Sequence, residues 1–210
     1  MTSASLPLPV RFPPVPFSVV TLSNRDGPLP GWRALFDWPA SGDSHVAYAP
    51  GSDAQRNLWA TRLDAAVAQA DRAVLLVADG ASCFAAAWWA KLSPTPYVAK
   101  VAGALLFRPL DAEPDEIETR ARRFAAPRVV LPFPSIVIDD AVAPSHLDAG
   151  LQTLAAGWGS SLVDGAAARP RFRSGHSKWR GAHRMLMQMT AGVVERELRI
   201  AEAFGVRWTD

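Results

Sequence analysis

Apolar residues along this chain fall into short continuous runs, separated by longer stretches where they recur every three or four positions. Residues 17–22 form a short β-branched run, which predicts a first strand, and 45–48 predict a weaker second one. Ser52 or Asp53 can cap a helix through about residue 69, with Leu58, Leu63, Ala66 and Val67 near helical spacing. The run 73–78 (AVLLVA) is apolar throughout, as strands buried on both faces of a parallel sheet are. A helix over 82–92 and a buried strand over 101–107 follow. Further on, the pattern predicts a charged surface helix over 113–124, a strand over 135–138, a helix over 145–157 and a short strand over 161–163. An Arg/Gly/Ser loop then leads to a long helix over 182–204, with Met185, Met189, Val193 and Ile200 near helical intervals. Strand–helix alternation of this kind implies an α/β fold: a three-layer α/β/α sandwich around a mostly parallel sheet. Its chemistry is expected where strands end and helices begin.

Composition narrows the picture. With 49% apolar and 20% charged residues in 210, the chain has enough apolar surface to fold, and a disordered protein is excluded. Residues 1–16 hold Pro7, Pro9, Pro13, Pro14 and Pro16 and read as an extended arm, leaving 17–210 as one domain. Cys83 is the sole cysteine, so an internal disulfide or a Cys-rich zinc site is ruled out. The net charge of +2 is too small to suggest a polyanion partner for the whole molecule. No apolar run approaches the ~20 residues of a membrane span. The prolines break up any secretory apolar segment, and the unpaired thiol agrees with a cytoplasmic location.

The most informative segment is Val77-Ala78-Asp79-Gly80-Ala81-Ser82-Cys83, where a buried strand turns tightly into a helix. The α/β-hydrolases hold their nucleophile in such a turn, with small residues two before and two after it. With Gly80 at the nucleophile position the flanks are Ala78 and Ser82, both small. With Ser82 there, Phe84 would crowd the contact between strand and helix. Sterics therefore select Gly80, which has no side chain with which to attack. Taken without other signals, the segment also reads as a plain turn, with Ser82 as a helix cap.

The surrounding residues raise a wider similarity. Gly31-Trp32, Leu58-Trp59, Leu63-Asp64-Ala65-Ala66, residues 74–90 and Val101-Ala102-Gly103-Ala104-Leu105-Leu106 carry it. So do Leu131-Pro132-Phe133-Pro134-Ser135, Leu154-Ala155-Ala156-Gly157-Trp158-Gly159-Ser160 and Ser174-Gly175 with Trp179. Over roughly 19–190 the chain resembles the small α/β-hydrolases of the retinoblastoma-binding-protein-nine type, single-domain serine hydrolases. The resemblance implies a serine, an acid and a histidine acting as a unit. Cys83 fixes the register of the elbow, and the nucleophile position falls on Gly80. The acid position falls on Ala143 before Pro144, and the base position on Arg169 or Pro170. The loop that helps bind an oxyanion in the family reads Ser23-Asn24-Arg25-Asp26 here. The resemblance thus implies the fold of a hydrolase and replacement of all three catalytic positions.

Two function classes follow. The first is a non-catalytic binding or regulatory module that uses the former cleft, lined by Asp79, Asn24 and Arg25, or the Arg-rich tail and long helix. The second is an esterase or amidase of small substrates with a rearranged triad of Ser82, Asp140 (or Asp139) and His176. No cofactor or metal is expected. Asp79, Asp139 and Asp140 read as caps and turn residues rather than cation ligands, and Cys83 as core. Trp88-Trp89 read as bulk against the sheet, with one ring half exposed. The partner expected is a small molecule or a protein, with a second copy meeting the C-terminal helix as one form. Residues 169–184 hold Arg169, Arg171, Arg173, Lys178, Arg180 and Arg184 with no acid. A solvated loop, rather than a nucleic-acid or membrane contact, is the expectation there.

Overall fold

The computed structural model describes residues 17–24, 43–48, 51–111, 119, 124, 129–139 and 149–164. The proline-rich arm, Arg25, Asp140, Ala143, Arg169, Pro170, His176 and the helix expected over 182–204 lie outside the described residues. So does the helix expected over 113–124, apart from residues 119 and 124.

Six strands form one sheet: β1 (Phe17–Asn24), β2 (Ser44–Tyr48), β3 (Ala73–Asp79), β4 (Val101–Phe107), β5 (Ser135–Asp139) and β6 (Ser161–Asp164). Their order is β2-β1-β3-β4-β5-β6, and every neighbouring pair is parallel. Between them run α1 (Asp53–Gln69), α2 (Ser82–Leu92), α3 (Thr95–Ala99) and α4 (Ala149–Trp158). This is the α/β arrangement that the alternating runs imply.

Local chemistry accounts for the element ends. Ser52 and Gln55 form a capping box on α1, each side chain accepting the other's backbone N–H, and Asp53 adds a carboxylate in the first turn. At the far end of α1 the Lys100 ammonium donates to the carbonyls of Ala68 and Ala70. The helix α3 is not foreseen by the hydrophobic pattern. It is five residues long and begins at the Pro94-Thr95-Pro96 segment, where proline supplies the φ of a first helical turn.

Alternation along the strands separates two apolar faces. On the first, Val20, Leu22, Leu76, Ala78, Leu106 and Val137 pack with Trp59 and Leu63 of α1, Phe84 and Trp89 of α2, and Leu151 and Trp158 of α4. Trp89 also donates through Nε1 to Asp64 at 2.8 Å, which ties α2 to α1. Trp88 is half-buried, with the Arg56 guanidinium 4.7 Å over its ring and Phe124 beside it. On the second face, Phe17, Val19, Leu75, Val77, Ala102, Leu105 and Ile138 form their own buried cluster.

Candidate functional site

Parallel strands that all point one way bring their C-terminal ends to one edge of the sheet, and α2 starts from that edge. β3 finishes at Asp79, and the chain turns at Gly80, whose φ is +58°. A left-handed backbone strains any residue with a Cβ, so glycine suits this turn. The turn is pinned by the Gly80 N–H donating to Phe107 O (2.9 Å) and the Cys83 N–H donating to Gly80 O (3.1 Å). Among the described residues, a Cβ placed on Gly80 would meet nothing within 4 Å.

Ser82 occupies a different environment. It is fully buried, and its hydroxyl lies 2.8 Å from Leu22 O and 2.9 Å from Asp79 O, donating its one proton between them. The same oxygen accepts the Asp79 N–H at 2.9 Å. Ser82 therefore ties the end of β1 to the turn. The cap position of α2 belongs to Ala81, with no side-chain bond, so the expectation of Ser82 as the helix cap is corrected. Burial against the strand ends, rather than the helix terminus, sets the partners of this hydroxyl.

Among the described residues, Asp79 and Arg108 are charged groups that meet at the turn. Arg108 follows β4 and donates from Nε (3.2 Å) and Nη2 (2.9 Å) to Asp79 Oδ1, and from Nη2 to Oδ2 (3.0 Å). Its Nη1 lies 3.1 Å from Asp111 Oδ2. The two side chains are 30% and 13% exposed for Arg108 and Asp79, so solvent screens this pair only partly. Arg108 is also the one non-glycine residue with positive φ among the described residues, at 45°. Its N–H donates to Ile138 O (2.9 Å), continuing the ladder, while the side chain doubles back over β3. The strained backbone is thus held at both ends.

Asp139 ends β5 beside Arg108, because Phe107 pairs with Ile138, and it pairs in turn with Asp164 at the end of β6. Cys83 is fully buried and its thiol faces Phe107 O at 3.4 Å. Burial pushes that thiol well above its ordinary range, the Asp79 charge adds to this, and the residue fits its expected place in the core.

The structure brings Asp79, Gly80, Ser82 and Arg108 together, with Asn24 ending β1 two strands' width from β4. Arg25, Asp140, Ala143, Pro170 and His176 lie outside the described residues. Arg108 was not singled out by the sequence pattern. Its signal was an arginine placed directly after a buried strand, at the edge where Asp79 ends the neighbouring one. Among the described residues no three His, Cys, Asp or Glu side chains gather as metal ligands. No helix among them is long and apolar enough to cross a membrane.

Comparison with known proteins agrees with this architecture. A crystal structure of a YdeN-like hydrolase from Pectobacterium atrosepticum superposes with a TM-score of 0.52, covering 70% of this chain and 76% of that one at 19% identity. At that identity the likeness speaks for the fold. No curated protein matches the chain. Residues 30–188 match the family described as serine hydrolase, which spans most of the strands, the glycine turn and the helices around them. The chain belongs to the serine hydrolase family.

Proposed function

We propose that this protein is a non-catalytic member of the family, close to the retinoblastoma-binding-protein-nine type, and that it serves as a binding or regulatory module. The observation that carries this reading is the turn at Gly80. Its left-handed backbone, with open space among the described residues, suits a nucleophile elbow, while its residue offers no hydroxyl. Two further features support it. The hydroxyl of Ser82, two residues after Gly80, is buried and held by three backbone groups. By spacing against the family, the acid position falls on Ala143 and the base position on Arg169 or Pro170, none of which serves as the acid or the general base of a triad at neutral pH. What remains at the strand ends is an open position flanked by an Asp79–Arg108 ion pair, suited to hold a polar group of a small molecule or a protein.

A panel of short-chain p-nitrophenyl esters tests the reading. The expected result is turnover at the buffer rate for the wild-type chain and equally for Ser82→Ala and His176→Ala. A wild-type rate well above buffer that falls in both variants would replace this reading with a rearranged site built on Ser82, His176 and Asp139 or Asp140.

A further inference from the structure

Arg108 meets two carboxylates that hold it in different ways. Asp79 takes the Nε–Nη2 side of the guanidinium through three bonds of 2.9–3.2 Å, and its side chain is only 13% exposed. Asp111 reaches Nη1 alone, at 3.1 Å, from a side chain that is 61% exposed. A guanidinium is a planar fork that can bind a carboxylate along more than one edge. Asp79 occupies one edge and so fixes the plane, while Asp111 sits on the Nη1 side.

The turn that presents Asp111 is itself anchored. The Asp111 N–H donates to Arg108 O at 3.1 Å, Pro109 is buried, and Leu110 packs against the first-face core. Rotation of one exposed side chain therefore takes the Asp111 carboxylate off Nη1, with the turn and the Asp79 bonds left in place. Exposed pairs of this kind are closed only about 1.5 to five times as often as they are open. The backbone of Arg108 adds a second observation. Its φ of 45° places a non-glycine residue in the left-handed region, and such outliers gather at ligand clamps and switch segments. Phe107 O accepts the Gly80 N–H, so this clamp stands beside the glycine turn. Charge decides how a ligand would enter. Asp79 already balances Arg108, so an incoming anion gains by replacing Asp111 rather than by joining it, and the charge around the guanidinium is then the same before and after.

We propose that Arg108 is the recognition residue for the carboxylate of a small organic acid, and that Asp111 stands in for that carboxylate on Nη1 until the ligand displaces it. Asp79 is the positioning residue, because it holds the guanidinium in one plane before the ligand arrives and so lowers the ordering cost of binding. This rests on the reading of the sheet edge as a binding site and names the ligand class for it. It does not rest on the missing hydroxyl at Gly80, which ester turnover tests.

Sodium acetate is the probe that tests it, with acetone as a neutral molecule of the same shape. The full chain is titrated at constant ionic strength, acetate replacing chloride, and NMR follows the Arg108 Nε–H and Gly80 N–H signals. The expected result is a saturable shift with acetate and none with acetone. Asp111→Asn removes the internal competitor and should lower the acetate dissociation constant by about two- to sixfold. Asp53→Asn removes an equal charge from the start of α1 and should leave that constant unchanged. Arg108→Gly should abolish the response at Gly80. An unchanged or higher constant in Asp111→Asn overturns the proposal, as does an equal gain in Asp53→Asn. So does a response that survives in Arg108→Gly, a response to acetone equal to that to acetate, or a lack of saturation in both the wild type and Asp111→Asn. If Arg108→Gly does not fold, the comparison of Asp111→Asn with Asp53→Asn decides alone. No ester enters this experiment, so its failure is distinct from a failure of the non-catalytic reading.

Discussion

Replacing Gly80 with alanine separates two costs that usually come together: an unfavourable backbone and a steric clash. At a φ of +58° a Cβ costs about 1–2 kcal/mol. Loss of glycine's freedom in the unfolded chain returns about 0.4–1 kcal/mol. Among the described residues nothing lies within 4 Å of the added carbon, so no packing cost is expected from them. The net loss should be close to 1 kcal/mol, which a urea titration resolves as a lower midpoint with an unchanged slope. Gly159 provides the contrast. Its φ is +66°, but an added Cβ would come within 2.8 Å of Val130 Cγ1. Val130 is largely exposed, so turning that β-branched side chain aside adds about 0.5–1.5 kcal/mol to the same backbone cost. Gly80→Ala should thus be the milder of the two substitutions. If it proves as costly as Gly159→Ala or worse, the position above the turn is not open and the reasoning fails. Gly80→Ser should match Gly80→Ala in stability and still leave ester turnover at the buffer rate, since a hydroxyl without a base and an acid gains little.

Three further outcomes follow from the same edge of the sheet. Ser82→Ala leaves the buried Asp79 N–H and Leu22 O without this partner and should lower stability by about 1–3 kcal/mol in urea; an effect under a few tenths would show that the tie is not formed. A double-mutant cycle of Asp79→Asn and Arg108→Ala should give a coupling of about 1–2 kcal/mol, and Arg108→Gly should be less damaging than Arg108→Ala because it relieves the left-handed backbone. Cys83 should resist alkylation in the native state and react once unfolded. Because its folded thiol titrates above the unfolded one, its contribution to stability is complete below the unfolded value and shrinks as pH rises past it. A Cys83→Ala variant should accordingly lose less stability than wild type between pH 8 and 10.

Much of the architecture was legible because burial on both faces writes itself into a strand as an unbroken apolar run. AVLLVA and VAGALL are such runs, and the turn between β3 and α2 follows from its small residues. The roles of individual side chains at that turn were less legible. Ser82 looked like a helix cap from its position, but the approach of β1 to the turn gives its hydroxyl strand carbonyls instead. The contact of Arg108 with Asp79 depends on the pairing of β3 with β4, in which Asp79 meets Phe107, a fact of register between segments 29 residues apart. The short helix α3 was hidden because its residues carry no apolar period, only the prolines that start it.

The central claim is that the elbow of this serine hydrolase fold carries no working nucleophile. Intact-mass measurement of the full-length wild-type chain after exposure to a fluorophosphonate tests it most directly. The account predicts an unmodified mass under conditions that label an active serine hydrolase to completion. A stoichiometric adduct that disappears in Ser82→Ala, with substitutions of distant serines leaving it intact, would contradict it.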